Sequence, residues 1–161
     1  MKKQRPTIPI SEWRVSIHLE ETRNIQNQPG TPAHACDCEW CKKWKVCCEE
    51  VMPEEIKKEL LRVGIELKHP TDLYKYQDNE HGNYLRVVYH AVGKILGGPN
   101  QWRDGLGQGK ALTYHTIREN PFVSLVVFPQ SQSFDESPIF ENKAEGDLLR
   151  VDFRLCISEN V

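Results

Sequence analysis

Between Tyr84 and Ile95 the chain reads YLRVVYHAVGKI, rich in β-branched and aromatic residues. Leu85, Val87, Tyr89 and Ala91 take one side, and Tyr84, Arg86, Val88, His90 and Val92 the other. Apolar residues on both sides predict a central strand that is covered on both faces for part of its length. The segments around it narrow the fold further. WRVSIHLE, residues 13–20, alternates Trp13, Val15, Ile17 and Leu19 against Arg14, Ser16, His18 and Glu20, the pattern of a half-buried strand. ALTYHTIRE and PFVSLVVF read as two more strands. LLRVDFRLCIS reads as another, with Leu149, Val151, Phe153, Leu155 and Ile157 opposed to Arg150, Asp152, Arg154 and Cys156. Strands that follow one another without intervening helices favour antiparallel pairing. The expected fold is therefore α+β: an antiparallel sheet of four or more strands with a helical pair at about residues 39–63 on one face.

The helical pair comes from a change of period. From Glu39 onward Trp40, Trp44, Cys47/Cys48 and Val51 recur every three to four residues, which predicts a helix starting just after Cys38, with Asp37 or Cys38 near its cap. Pro53 opens a second helix, PEEIKKELLRVG, with acids early, bases late, a buried stripe of Ile56, Leu60 and Val63, and Gly64 as its stop. TRNIQNQPGTP, residues 22–32, reads as a loop, NEHGN as a turn, and the glycine-rich stretch from Gly97 to Lys110 as a surface excursion. HPTDLYKYQD fits either one helical turn or an extended piece. The long polar link from Pro129 to Asp147 is expected to wander over the surface.

A chain of 161 residues is about the size of one domain, so 1–161 is read as a single unit. Its formal net charge of −2, with the signs mixed along the chain, provides no strong field for polyanions, and nucleic acid is not favoured as a partner. The opening MKKQRPTIPISEW lacks the apolar run of an export signal, and nothing later approaches the roughly 18 apolar residues of a membrane span. The expectation is a cytoplasmic protein with no membrane partner, acting on an unknown protein or small molecule. The edge of residues 13–19 offers pairing across a homodimer.

Five of the six cysteines fall in HACDCEWCKKWKVCC, residues 34–48. In a reducing compartment such thiols are free, metal-bound or reactive rather than a disulfide framework. His34, Cys36, Cys38 and Cys41 follow an H-x-C-x-C-x-x-C spacing, which suits zinc or another soft metal, because short gaps let one turn deliver several ligands to a tetrahedron. Cys41 and Cys48 are too far apart on a helix to join one ion, roughly 10 Å along the axis. The fourth ligand is His34 or a distant residue such as His90, His115 or Cys156. Two further readings stand beside the metal. Cysteine is often a small core residue, and Cys47 and Cys48 follow the stripe of Trp40 and Trp44. Cys38 and Cys41, spaced C-x-x-C at a helix start, also fit a low-pKa thiol with a resolving partner, hence a thiol-redox or metal-dependent enzyme.

The segment, with Gly64, Ile65 and Pro70 continuing it, resembles a C-x-C-x-x-C-(K/R) stretch of a small uncharacterised bacterial protein family over residues 34–99. The resemblance implies a family identity and no activity.

Other motifs are incomplete. GLGQGKA, residues 105–111, departs from a phosphate-binding loop at Asp104, where a glycine belongs, and at Ala111, where a hydroxyl should hold magnesium. WCKKWK mixes Trp40 and Trp44 with Lys42, Lys43 and Lys45, yet helical spacing separates rings from charges, as in a plain amphipathic helix. Without a complete catalytic motif, the reading favoured is a non-enzymatic binding or regulatory module whose cysteine-rich segment is either a structural metal site, with zinc as the metal, or a thiol-rich helix.

Overall fold

The computed structural model describes residues 7–26, 28, 36, 38–78, 82–99, 102–104, 110–133, 135, 137–141 and 146–157. In order these form β1 (Thr7–Ile10), β2 (Trp13–Ile17), α1 (Leu19–Gln26), α2 (Glu39–Val51), α3 (Glu54–Arg62), β3 (Asp72–Asp78), β4 (Gly82–Gly97), β5 (Trp102–Asp104), β6 (Lys110–Leu112), β7 (His115–Glu119), β8 (Phe122–Pro129), a 3-10 turn (Gln130–Gln132) and β9 (Asp147–Leu155). Seven strands make one antiparallel sheet in the order β1-β2-β4-β9-β8-β7, with β3 also paired to β4, while β5 and β6 form a separate hairpin. The fold is α+β, with the helical pair α2–α3 on one face.

The spine is β4. Its first half pairs with β3 on one side, its far end with β2 on that same side, and its middle, Leu85 to Gly93, with β9 on the other. Leu85, Val87, Tyr89 and Ala91 join Leu149, Val151, Phe153 and Leu155 of β9 and Val123, Leu125 and Val127 of β8 in one apolar face. Against that face lie Cys41, Trp44, Cys47 and Cys48 of α2 and Ile56 and Leu60 of α3. The stripe at three- and four-residue spacing is what α2 buries, and Lys42 and Lys45 stay exposed, so the amphipathic reading of WCKKWK holds. Trp44 anchors the helix: its indole Nε1 donates to the Leu67 carbonyl at 2.9 Å and to the Tyr89 hydroxyl at 3.1 Å. Tyr89 in turn donates to Leu67 O at 2.6 Å. Gly64, at φ +86°, ends the α3 segment in the left-handed region that favours glycine.

The sheet is strongly curved. At about 4.8 Å per step, β2 and β7 would lie about 19 Å apart in a flat sheet. Instead His115 of β7 meets the β1–β2 turn, with its Nε2 3.4 Å from Glu12 and its ring edge-on to Trp13. Two helix contacts brace the curve from inside: Ser11 N donates to Glu59 Oε2 of α3 at 2.8 Å, and Arg118 donates to the Val51 carbonyl at the end of α2. Close approach also dictates Gly93, where an added Cβ would sit 1.8 Å from the Ser16 carbonyl oxygen of β2.

Several expectations change. Residues 22–26 are helical rather than looped, because β2 ends at Ile17 and Leu19, Thr22 and Ile25 then recur at helical spacing. This helix, α1, packs on the second face of the sheet, where Ile25 meets Val92 and Leu148. TIPI forms an edge strand, which tolerates Pro9 because its missing N–H can face outward. Residues 72–78 are extended, as a partner for β4. The stretch ALTYHTIRE is divided between β6 and β7. Trp13–Ile17 is paired on both sides, so it is not a free edge for a second copy. His34, the capping candidate Asp37, and residues 79–81 and 105–109 of the NEHGN and GLGQGKA readings lie outside the described residues. Among the described residues, no helix is long and apolar enough to cross a membrane.

Replacing Trp44 with alanine should destabilise the protein by about 3–5 kcal/mol, since it empties a large buried site and unpins α2. Tyr89→Phe should cost only about 1 kcal/mol, because Leu67 O keeps the indole donor. Urea unfolding monitored by circular dichroism gives both values, and equal costs would refute the anchoring role of the indole.

Candidate metal centre

Cys38 is the N-cap of α2, with extended backbone at φ −73° and ψ 163°, and its sulfur accepts the Cys41 amide at 3.4 Å. A thiol suits this position because the first helical amides lack intrahelical partners and the helix dipole favours negative charge there. One turn on, the C-x-x-C spacing returns Cys41 to the same end of the helix, and the C-x-C spacing brings Cys36 back from the other side. The three sulfurs all lie within 4.8 Å of one another, with Cys36 Sγ and Cys38 Sγ 3.1 Å apart. In a tetrahedral zinc–thiolate site adjacent sulfurs are about 3.8 Å apart, so adjustments of about an ångström would seat one ion.

The three thiols differ in character. Cys38 is exposed, Cys36 half-buried and Cys41 buried. The Cys41 amide and the Cys36 thiol stabilise the Cys38 thiolate and pull its pKa down to about 7, against mild opposition from burial. Burial, joined by the neighbouring thiols, pushes Cys41 far up. Without a cation the group therefore carries one ready thiolate, at Cys38, beside the protonated Cys41. A soft divalent ion would reverse this, since coordination drives thiol deprotonation.

Among the described residues no fourth histidine, cysteine or carboxylate ligand atom lies within 4.8 Å of all three sulfurs. The distant candidates are engaged elsewhere. His90 is fully buried between Thr71 Oγ1 at 2.6 Å and Gln130 Oε1 at 2.7 Å. His115 faces Glu12 and Trp13. Cys156 follows β9 and donates its amide to Phe122 O, apart from the three thiols. Cys47 and Cys48 are core residues, and burial raises both pKa values.

The second face of the sheet holds a group the sequence reading passed over. Arg150 and Asp152 of β9, read as the polar side of a half-buried strand, are completely buried. Asp152 Oδ2 takes Arg86 Nη2 at 2.6 Å and Arg150 Nε at 3.0 Å. Beside them run Thr71, His90 and Gln130, whose amide continues to the Asp135 carbonyl. Alternation along β9 carried no signal of this burial, because an antiparallel strand commonly turns its polar side to water. Burial holds His90 down to about 4, assisted by the Arg150 charge and opposed by the Gln130 bond.

No family model matches the chain, and neither a curated protein nor a solved structure matches it.

Two outcomes follow. Iodoacetamide should modify Cys38 well before Cys41, Cys47 and Cys48, with a rate that rises through a midpoint near pH 7, as peptide mapping after timed quenching would show. Equal rates across these four would remove the cap effect. For His90, the unfolded chain binds a proton below about pH 6.5 that the folded protein refuses until about pH 4. Stability should therefore fall as pH drops through that window, by up to about 3 kcal/mol from this residue. Comparing urea midpoints of the native protein and His90→Gln at pH 7 and pH 4 isolates the effect, and parallel pH profiles would exclude it.

Proposed function

We propose that this protein is a cytoplasmic, non-enzymatic binding or regulatory module built around one structural zinc ion held by Cys36, Cys38 and Cys41, with His34 as the fourth ligand. The observation that carries the reading is the mutual approach of the three sulfurs at the N-terminus of α2. His34 stands two residues before Cys36, the spacing that separates Cys36 from Cys38. Soft thiolate donors with an imidazole favour zinc over harder cations. Bound there, zinc would supply cross-linking rather than chemistry: it would tie the chain ahead of α2 to the helix that Trp44 fixes on the sheet. Six free thiols accord with a reducing compartment. The likeness of residues 34–99 to the small bacterial family fits the same segment and adds no activity.

A second reading keeps the thiol-redox alternative read on Cys38 and Cys41 but moves its partner thiol to Cys36, whose sulfur approaches that of Cys38 to 3.1 Å. A thiolate at Cys38 so close to another thiol is placed for disulfide formation under oxidation, which would make the segment a thiol-redox element.

Elemental mass spectrometry of untagged protein, purified without chelator, should find about one zinc per chain, and none in a Cys38→Ser/Cys41→Ser double variant. His34→Ala should weaken zinc retention against a competing chelator at least tenfold. Folded, metal-free native protein that does not take up added zinc would overturn the proposal, and a Cys36–Cys38 disulfide in that protein would favour the redox reading.

A further inference from the structure

The guanidinium groups of Arg86, Arg150 and Arg154 gather on the face of the sheet away from α2 and α3, among three tyrosines. The Arg86 guanidinium lies over the Tyr74 ring at 5.0 Å and donates to the Tyr114 hydroxyl at 3.1 Å. That of Arg154 lies 4.0 Å from the Tyr114 ring centre and 5.2 Å from that of Tyr76. The charges do not balance. Asp152 is shared by Arg86 and Arg150, and Arg150 Nη2 also reaches the exposed Asp135 at 3.1 Å. Among the described residues no acid pairs with Arg154. Among the described residues these three cations thus share two paired carboxylates, and the unpaired charge rests on a half-buried group.

Donor capacity is unused as well. Arg86 Nε, Arg150 Nη1 and Arg154 Nε are buried without hydrogen-bond partners, although Arg150 is wholly enclosed. Buried donors are rarely left so, since each unmade bond costs about 1–3 kcal/mol, more when charged. With two rings against it and Nε enclosed, the Arg154 guanidinium has its Nη edge left for a partner, a direction from which an oxyanion approaches a fork of donors.

We propose that Arg154 and Arg86, framed by Tyr76 and Tyr114, form a binding site for the phosphate group of a small molecule. A phosphate suits this corner better than a planar carboxylate, because its oxygens point in several directions and can meet the Arg154 Nη edge while facing the Arg86 charge. One excess charge suits a single phosphate group rather than a polymer of them. The site is independent of the cysteine group, which belongs to α2 on the other face.

The test uses the full chain, with arginine side-chain Nε–H resonances followed by NMR at constant ionic strength during titration with inorganic phosphate, phosphoserine, and sodium acetate as the planar control. The expected result is saturable movement of the Arg154 and Arg86 signals with phosphate and phosphoserine, and at least tenfold weaker binding of acetate. Arg154→Gln should weaken phosphate binding at least tenfold, and Arg154→Lys, which keeps the charge and loses the fork, several-fold. Unmoved Arg154 and Arg86 signals in the native protein would overturn the site whether or not the variants fold. Equal response to acetate and phosphate, or shifts spread over surface lysines, would also overturn it, as generic screening.

Discussion

Everything in this fold hangs on β4, a strand with both of its faces enclosed from Tyr84 to Gly93. Sixteen residues long, it has β3 and β2 in succession along one side and β9 along the other, so both sides of its backbone are hydrogen-bonded for much of their length. Its side chains then need cover in two directions. One direction is met by the α2–α3 pair through ordinary apolar packing. The other is met by α1 and by a layer in which charge is buried beside charge. The two faces of one strand therefore use opposite physics, and the curvature that brings β7 to the β1–β2 turn lets the helices fill the concave side.

The cysteine group gains its rigidity from this arrangement. Cys41 belongs at once to the core and to the sulfur triad, while Cys38 caps the same helix and stays open to solvent. The helix is fixed a turn later by Trp44, whose indole shares the Leu67 carbonyl with Tyr89. Two of the three sulfurs are thus held by a packed element, and Cys36 has to be brought to them by the chain that leads in. A metal ion in such a place would contribute to folding by joining Cys36 to the helix that carries Cys38 and Cys41.

The polar layer presents a different balance. A buried arginine is stabilised only where carboxylates and ring faces replace its water. Arg150 has Asp152 and Asp135, Arg86 has Asp152 and Tyr114, and Arg154 has ring faces alone. Polar networks with unused donors are costly to leave unfilled, which gives this face a physical reason to hold something beyond its own side chains.

The amino-acid sequence by itself determined the α+β class, the helical pair with its buried stripe, the central strand at Tyr84–Ile95, and the spacing of Cys36, Cys38 and Cys41. These are local properties: period, caps and short gaps act within a turn or two of chain. Spacing also set Cys41 apart from Cys47 and Cys48, which it read as core. Tertiary structure decided that the sulfurs of Cys36, Cys38 and Cys41 meet at one end of α2. It also decided that Leu19–Gln26 is a helix and Asp72–Asp78 a strand, because each is selected by the part of β4 and its neighbours that it covers. Above all it decided the fate of Arg150, Asp152 and Arg154. Alternation along β9 marks them as one face, but only the strands on either side, together with α1 and the 130–141 segment beyond them, make that face a buried one.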